Sequence, residues 1–138
     1  MNTLKKIALF LFITLFSISC SLDDNEINYR FELLEIESLV VPDELHLGET
    51  HSFIIRYRRP TSCHGFNAFY YEKNLNVRTV AVQGLVVESS DCLPFENETQ
   101  EQTLDFYVTN NGSYIFKFWQ GKDDNGEDLY LEYEIPVI

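Results

Sequence analysis

A strict alternation of apolar and polar side chains near the C-terminus constrains the fold of this chain more than any other feature. Residues 129–137 read LYLEYEIPV, so that every second side chain is a strong core former. A repeat of two residues places these side chains on one face of an extended strand, whereas a helix needs a repeat of about 3.6 residues. The segment therefore predicts a β-strand with one buried face and one face toward water.

Strand patterns recur through most of the chain. Residues 53–58, 103–108 and 114–119 show the same alternation, and residues 66–71 and 77–87 are rich in aromatic or β-branched side chains. In the last of these segments, Gly84 is predicted to form a bulge that switches the inward face. Gly beside Asn, Asp or a charged residue marks turns at 47–49, 110–112 and 123–126. About seven short strands at this spacing predict an all-β antiparallel sandwich.

Residues 31–41 fit two structures. Their apolar positions suit one face of a helix, but Pro42 and the β-branched end of the segment favour a strand that changes its inward face midway.

Residues 110–116, with the sequence NNGSYIF, resemble the D-x-G-x-Y-x-C segment of immunoglobulin-like domains. The resemblance implies that Tyr114 faces inward near the start of strand F as a tyrosine corner. Phe116 stands where immunoglobulin domains keep their second cysteine, and the only Trp, Trp119, is not at the strand C position. The resemblance therefore implies an immunoglobulin-like sandwich over residues 29–138 without the inter-sheet disulfide of antibodies.

The N-terminus has the three parts of an export signal. Lys5 and Lys6 precede an uncharged, mostly apolar run over residues 7–19, which ends in small residues before Cys20. The run is shorter than the roughly 20 apolar residues of a membrane span, which favours a cleaved signal over an uncleaved anchor.

Ser17-Ile18-Ser19-Cys20 resembles the bacterial lipobox, with Ser17 in place of the usual Leu. The resemblance implies cleavage after residue 19 and lipidation of Cys20, which would anchor the chain to a membrane. Residues 20–28 form an acidic tether. Its stretch 21–26 resembles the surface-export signal of Bacteroidetes-type lipoproteins, although a plain flexible linker has the same composition. We expect an outer-membrane lipoprotein displayed at the cell surface or on the periplasmic face. With its immunoglobulin-like segment, the chain resembles small lipoproteins of Bacteroidetes, a resemblance that carries no activity.

The charge of the mature chain excludes one class of partner. Without residues 1–19 it has eight Lys and Arg against 22 Asp and Glu, a formal charge of 8 − 22 = −14. Such a surface repels phosphates, so nucleic acid is not an expected partner.

Two cysteines remain once Cys20 is lipidated, and an exported pair is expected to form a disulfide. We therefore predict a bond between Cys63 and Cys92. The alternative is a metal site made by these cysteines with His64 and Asp91, but no C-x-x-C spacing supports it.

The aromatic side chains supply the candidate binding residues. Trp119, Tyr107 and Tyr130, with Tyr71 as a further candidate, fall on the outward parity of their predicted strands. On neighbouring strands they would form a flat patch suited to a sugar ring or a protein partner. The alternative is that another segment of the chain covers them.

Two charged clusters have simpler explanations. Arg56, Arg58 and Arg59 are expected to pair with nearby carboxylates, with a site for a carboxylate ligand as the alternative. The loop from Asp123 to Asp128 offers oxygen ligands for calcium, but in an EF-hand frame Gly121 takes the first acidic position, so a hairpin turn is the better interpretation.

The sequence has no nucleophile or metal motif of a known enzyme class and no cofactor motif. The 22 acidic residues offer carboxylate pairs for glycoside hydrolysis, but a sequence does not fix their distances. We predict a non-enzymatic, lipid-anchored module that binds a protein or another ligand without a metal or cofactor. The alternative is an accessory glycan-binding module that uses the outward aromatic side chains.

Replacing Cys20 with Ala should abolish lipidation and leave the precursor uncleaved or released, because the acylated thiol is missing. Detergent-phase partitioning and intact mass of the protein measure both effects. A mature wild-type protein that lacks acyl mass, or that begins at another residue, would contradict the prediction.

Overall fold

The computed structural model describes residues 27–138. The predicted signal segment 1–19, the predicted lipidation site Cys20 and most of the tether 20–28 lie outside the described residues. The described part contains no helix that could cross a membrane.

Eight strands form two packed sheets, which confirms the predicted all-β sandwich, with one strand more than the sequence indicated. The strands are β1 (Tyr29–Leu34), β2 (Ile36–Val40), β3 (Thr50–Arg58), β4 (His64–Asn74), β5 (Val77–Val87), β6 (Thr99–Tyr107), β7 (Ser113–Lys122) and β8 (Asp128–Pro136).

Sheet A contains β1, β4, β5, β7 and β8, and sheet B has the order β2-β3-β6. Neighbouring strands pair antiparallel, with the exception of β5 and β7, which run parallel. The immunoglobulin plan consists of antiparallel sheets, so the β5–β7 pair departs from the predicted antiparallel arrangement. The finer immunoglobulin-like assignment stays a prediction.

Strand β5 organises sheet A because it has three partners. It pairs with β4 along one edge, and two strands share its other edge. On that second edge residues 82–87 pair with β1, and residues 77–80 pair with β7. Phe118 is the last residue of β7 that pairs with β5, so β7 parts from β5 just before Trp119 and continues beside β8.

The ambiguous segment 31–41 is a strand that breaks at Glu35 and passes from sheet A to sheet B. Leu34 before the break and Ile36 after it are both buried in the core. The Glu35 carbonyl accepts a hydrogen bond from the Arg58 backbone N–H at 2.9 Å, so it has a partner at the crossing. The expected change of face is thus a change of sheet.

Aromatic rings fill the centre of the sandwich. Phe53 of sheet B and Phe116 of sheet A lie with ring centroids 4.7 Å apart, and Phe106 meets Phe116 edge-on at 5.1 Å. All three side chains are buried. Edge-on and tilted contacts of this kind stabilise a core beyond the burial of area alone.

Tyr114 has the geometry of a tyrosine corner. Its ring is 1% exposed, and its hydroxyl accepts the backbone N–H groups of Asn110 at 3.0 Å and Thr109 at 3.4 Å. These bonds tie the loop between β6 and β7, which connects the two sheets, to the core.

The prediction for Gly84 is wrong. Apart from Ala81, the buried residues of β5 keep the same parity from Arg78 to Val86, so the inward face does not switch. The bulge lies instead in β4, between Phe66 and Ala68. A side chain at Gly84 would clash with Leu34, because an added Cβ would lie 2.7 Å from its Cδ1. The glycine therefore makes room for packing from β1.

The predicted disulfide is confirmed. Cys63 and Cys92 are bonded with their Cα atoms 5.4 Å apart. The alternative metal site is wrong because the bond uses both sulfurs and because His64 already has partners: its Nε2 lies 2.6 Å from a Glu32 carboxylate oxygen and its Nδ1 lies 2.7 Å from the Thr61 hydroxyl.

Replacing both Cys63 and Cys92 with Ser should lower the free energy of unfolding by about 3.5 kcal/mol. The disulfide closes a loop of about 30 residues and so restricts the unfolded chain, and its removal restores that chain entropy. Chemical denaturation of the double variant measures the change, and reduced wild-type protein should match it. A double variant as stable as the oxidised wild type would contradict the prediction.

Candidate ligand-binding site

The alternation of β7 places Trp119 on the outer face of sheet A. Phe116 and Phe118 are buried in the core, whereas Trp119 has the opposite parity and is half-buried. Its neighbour across the β7–β8 pair is Tyr130, which is also half-buried on the outer face. Two of the predicted binding residues therefore lie side by side.

A small side chain forms the floor beside these rings. Ala81 of β5 lies on the outer face, yet it is only 2% exposed. Tyr70 of β4 is its registered partner, and Tyr70 and Trp119 line the same cavity around it. Large side chains on both sides of a small one make a depression in an otherwise flat sheet.

We call this depression the Trp119 cleft. It has a volume of about 320 Å³, within the usual range for small-molecule sites. Its lining comes from all five strands of sheet A: Leu33, Tyr70, Glu72, Thr79, Ala81, Trp119, Lys122, Asp128 and Tyr130.

Polar groups at the rim of the cleft are held in place by one another. The Trp119 indole N–H donates to an Asp128 carboxylate oxygen at 2.9 Å, and Lys122 Nζ donates to the same oxygen at 2.8 Å. The hydrogen bond from Lys122, followed by that from Trp119, holds the pKa of Asp128 below its ordinary value. Asp128 therefore stays ionised and fixes the orientation of the indole ring.

The opposite wall carries a second polar pair. The Tyr70 hydroxyl donates to a Glu72 carboxylate oxygen at 2.9 Å. That hydrogen bond and the negative charge of Glu72 raise the pKa of Tyr70. The phenol keeps its proton and remains a hydrogen-bonding group at the rim.

A second cavity, of about 330 Å³, opens where β1 and β7 part, and we call it the fork cavity. Trp119 lines both cavities, so its ring stands between them. Arg59 lies on the far side, where its guanidinium carbon is 5.4 Å from the centre of the Phe95 ring and its Nη1 is 3.2 Å from a Glu98 carboxylate oxygen.

The other aromatic candidates lie away from the cleft. Tyr107 is 58% exposed, but it belongs to β6 in sheet B. Tyr71 pairs with the inward-facing Val80, so it lies on the face of β4 opposite to Tyr70. The β4 bulge sets which of these two tyrosines faces outward, and no pattern in the sequence marks the bulge, so Tyr70 was not predicted.

The arginine cluster forms ion pairs with carboxylates, and the acidic loop is a hairpin turn, as the sequence favoured. Arg56 pairs with Glu101, Arg59 with Glu98, and Arg58 lies 3.7 Å from Glu35. The loop at residues 123–128 is a hairpin turn in which Asp123 Oδ1 accepts the backbone N–H groups of residues 125 and 127. These backbone hydrogen bonds lower the pKa of Asp123.

The chain was compared with known protein families, curated proteins and solved structures. No protein-family model, curated protein or solved structure matches the chain.

Replacing Trp119 with Ala should lower the free energy of unfolding by about 1 kcal/mol, since loss of a half-buried ring at the surface leaves little cavity. Replacing its neighbour Phe118 with Ala should lower it by about 3–5 kcal/mol, because that ring is fully buried. Chemical denaturation compares the two variants. Equal losses would show that Trp119 is a core residue.

Proposed function

We propose that this chain is a lipid-anchored lipoprotein of the bacterial outer membrane, displayed at the cell surface, and that its sandwich binds a carbohydrate in the Trp119 cleft without catalysis. The general proposal is a binding module. Carbohydrate is the ligand class that the cleft suits best.

Two observations support export. Residues 17–20 resemble a lipobox behind an apolar signal segment. The bond between Cys63 and Cys92 belongs to the oxidising compartments beyond the cytoplasm, where disulfides persist.

The main support for a carbohydrate ligand is that aromatic rings form the walls of the cleft and the small side chain of Ala81 forms its floor. A sugar ring has apolar C–H faces and a polar hydroxyl edge, so it suits a site where one side is an aromatic ring and the other is polar. Trp119, Tyr130 and Tyr70 supply the rings, while Ala81 leaves room between them. Glu72 and Asp128 supply acceptors for hydroxyl groups.

The charge of the site favours a neutral sugar. Lys122 is already paired with Asp128, and Lys117 Nζ lies 2.9 Å from a Glu132 carboxylate oxygen and 5.7 Å from the centre of the Tyr130 ring. The two lysines near the cleft therefore have carboxylate partners, in a chain of strong negative charge. An acidic glycan would meet repulsion rather than a free cation.

The size of the cleft favours a small ligand over a protein partner with a flat surface. A protein interface usually buries about 800 Å² on each partner, whereas the cleft is a local depression suited to one or two sugar rings. A protein partner is the alternative outcome of the test.

A glycan array probed with the mature protein tests the proposal, and calorimetry with the best glycan gives its affinity. Trp119→Ala should weaken binding by about 30-fold, which corresponds to the roughly 2 kcal/mol of a hot-spot aromatic residue. Tyr107→Ala is the matched control, because it removes an exposed aromatic ring from the other sheet. It should bind as wild type does.

Three outcomes would overturn the carbohydrate proposal. They are an array without a bound glycan, binding that Trp119→Ala leaves intact, and equal losses in Trp119→Ala and Tyr107→Ala. Protein ligands captured through Trp119 in place of glycans would keep the binding module but change its ligand.

A further inference from the structure

The loop between β2 and β3 and the first residues of β3 bring three metal-binding side chains together. His46, Glu49 and His51 each offer a ligand atom, and these atoms all lie within 4.8 Å of one another. Within residues 27–138 this is the one group of three or more such side chains that converge in this way. The loop lies beside the C-terminal end of β8, whereas Trp119 is opposite Tyr130 near its start.

Hydrogen bonds on both sides hold the loop in shape. Leu45, which is fully buried, donates its N–H to the Pro136 carbonyl at 2.8 Å, and its own carbonyl accepts the Ile138 N–H at 2.8 Å. The Gly48 N–H donates to the Val108 carbonyl at 2.9 Å. The loop is thus anchored before His46 and directly before Glu49, so the ligand side chains start from fixed backbone positions.

The two histidine rings are already arranged as neighbours. They stack with centroids 5.5 Å apart and an angle of 9° between their planes. His51 Nε2 accepts the His46 backbone N–H at 2.9 Å, so this nitrogen carries a lone pair rather than a proton. A neutral imidazole, whose unprotonated nitrogen can donate its lone pair, is the form that binds metals.

His46 has an unsatisfied nitrogen that faces a carboxylate. Its Nδ1 is buried and has no hydrogen-bond partner, and it lies 3.9 Å from a Glu49 carboxylate oxygen. On the other side of the ring, Nε2 lies 3.9 Å from Glu44. Metal-bound histidines commonly direct their second nitrogen toward a carboxylate in this way.

We propose that His46, Glu49 and His51 bind a first-row divalent metal ion of the Zn²⁺ type, with Glu44 behind His46. Two imidazole nitrogens and one carboxylate suit Zn²⁺, Ni²⁺ or Cu²⁺, whereas Ca²⁺ and Mg²⁺ prefer all-oxygen sites. Bonds of about 2.0–2.2 Å require the ligand atoms to close in from their present spacing. His51 exchanges its hydrogen bond from His46 N–H for the metal bond, and a fourth position stays open to water or another ligand.

Calorimetry of untagged, chelator-treated mature protein with Zn²⁺ tests the proposal. We expect saturable binding of one ion, which excess Ca²⁺ does not displace. His46→Ala and His51→Ala should each weaken binding by more than the roughly 10–100-fold loss that follows removal of a residue hydrogen-bonded behind a metal ligand. In NMR spectra, Zn²⁺ should shift the imidazole signals of His46 and His51 and leave His64 unchanged, since His64 lies at the start of β4.

A pair of charge-matched variants separates ligation from attraction to an acidic surface. Glu49→Gln and Asp43→Asn each remove one negative charge from the same loop, but only Glu49 belongs to the cluster. Glu49→Gln should weaken Zn²⁺ binding, and Asp43→Asn should leave it unchanged. Absence of saturable binding, equal effects of these two variants, or Zn²⁺ shifts of the His64 signals alone would overturn the proposal.

Discussion

One edge of β5 serves two strands, and the shape of the outer face of sheet A depends on this constraint. Because β1 pairs with residues 82–87, β7 parts from β5 after Phe118 and stays paired with β8. The divergence leaves space on either side of Trp119, which becomes the fork cavity on one side and the Trp119 cleft on the other. The bulge between Trp119 and Gly121 belongs to the same departure of β7. The pairing pattern of the backbone thus produces two neighbouring cavities, both of which Trp119 lines.

The features that the sequence predicts well are those set by short-range pattern. Alternation in residues 114–119 correctly separates the buried Phe116 and Phe118 from Trp119, because successive side chains of a strand point to opposite faces. The spacing of residues 110–116 predicts Tyr114 as an inward-facing tyrosine corner, and its hydroxyl bonds to the preceding loop. The cysteine count leads to the disulfide, since few pairings are open to so few cysteines.

The features that the sequence does not predict depend on contacts between distant segments. Tyr70 faces the cleft because a bulge in β4 shifts the register, and Tyr107 is separated from Trp119 because β6 belongs to the other sheet. Arg78 is buried in a core position, where its guanidinium lies 4.8 Å from the Tyr114 ring and bonds to backbone carbonyls rather than to a carboxylate. The approach of His46 to His51 likewise needs the loop to be pinned by the last residues of the chain.

We propose the Trp119 cleft as the ligand-binding surface, and the single tryptophan of the chain reports directly on binding there. The indole N–H of Trp119 gives one isolated signal in a ¹H–¹⁵N NMR spectrum, and it is bonded to Asp128 at the rim of the cleft. Titration with a neutral oligosaccharide should shift this signal together with the amides of β7 and β8 and leave the amides of β6 in place. A ligand that shifts the amides of sheet B while the indole signal stays fixed would contradict the account.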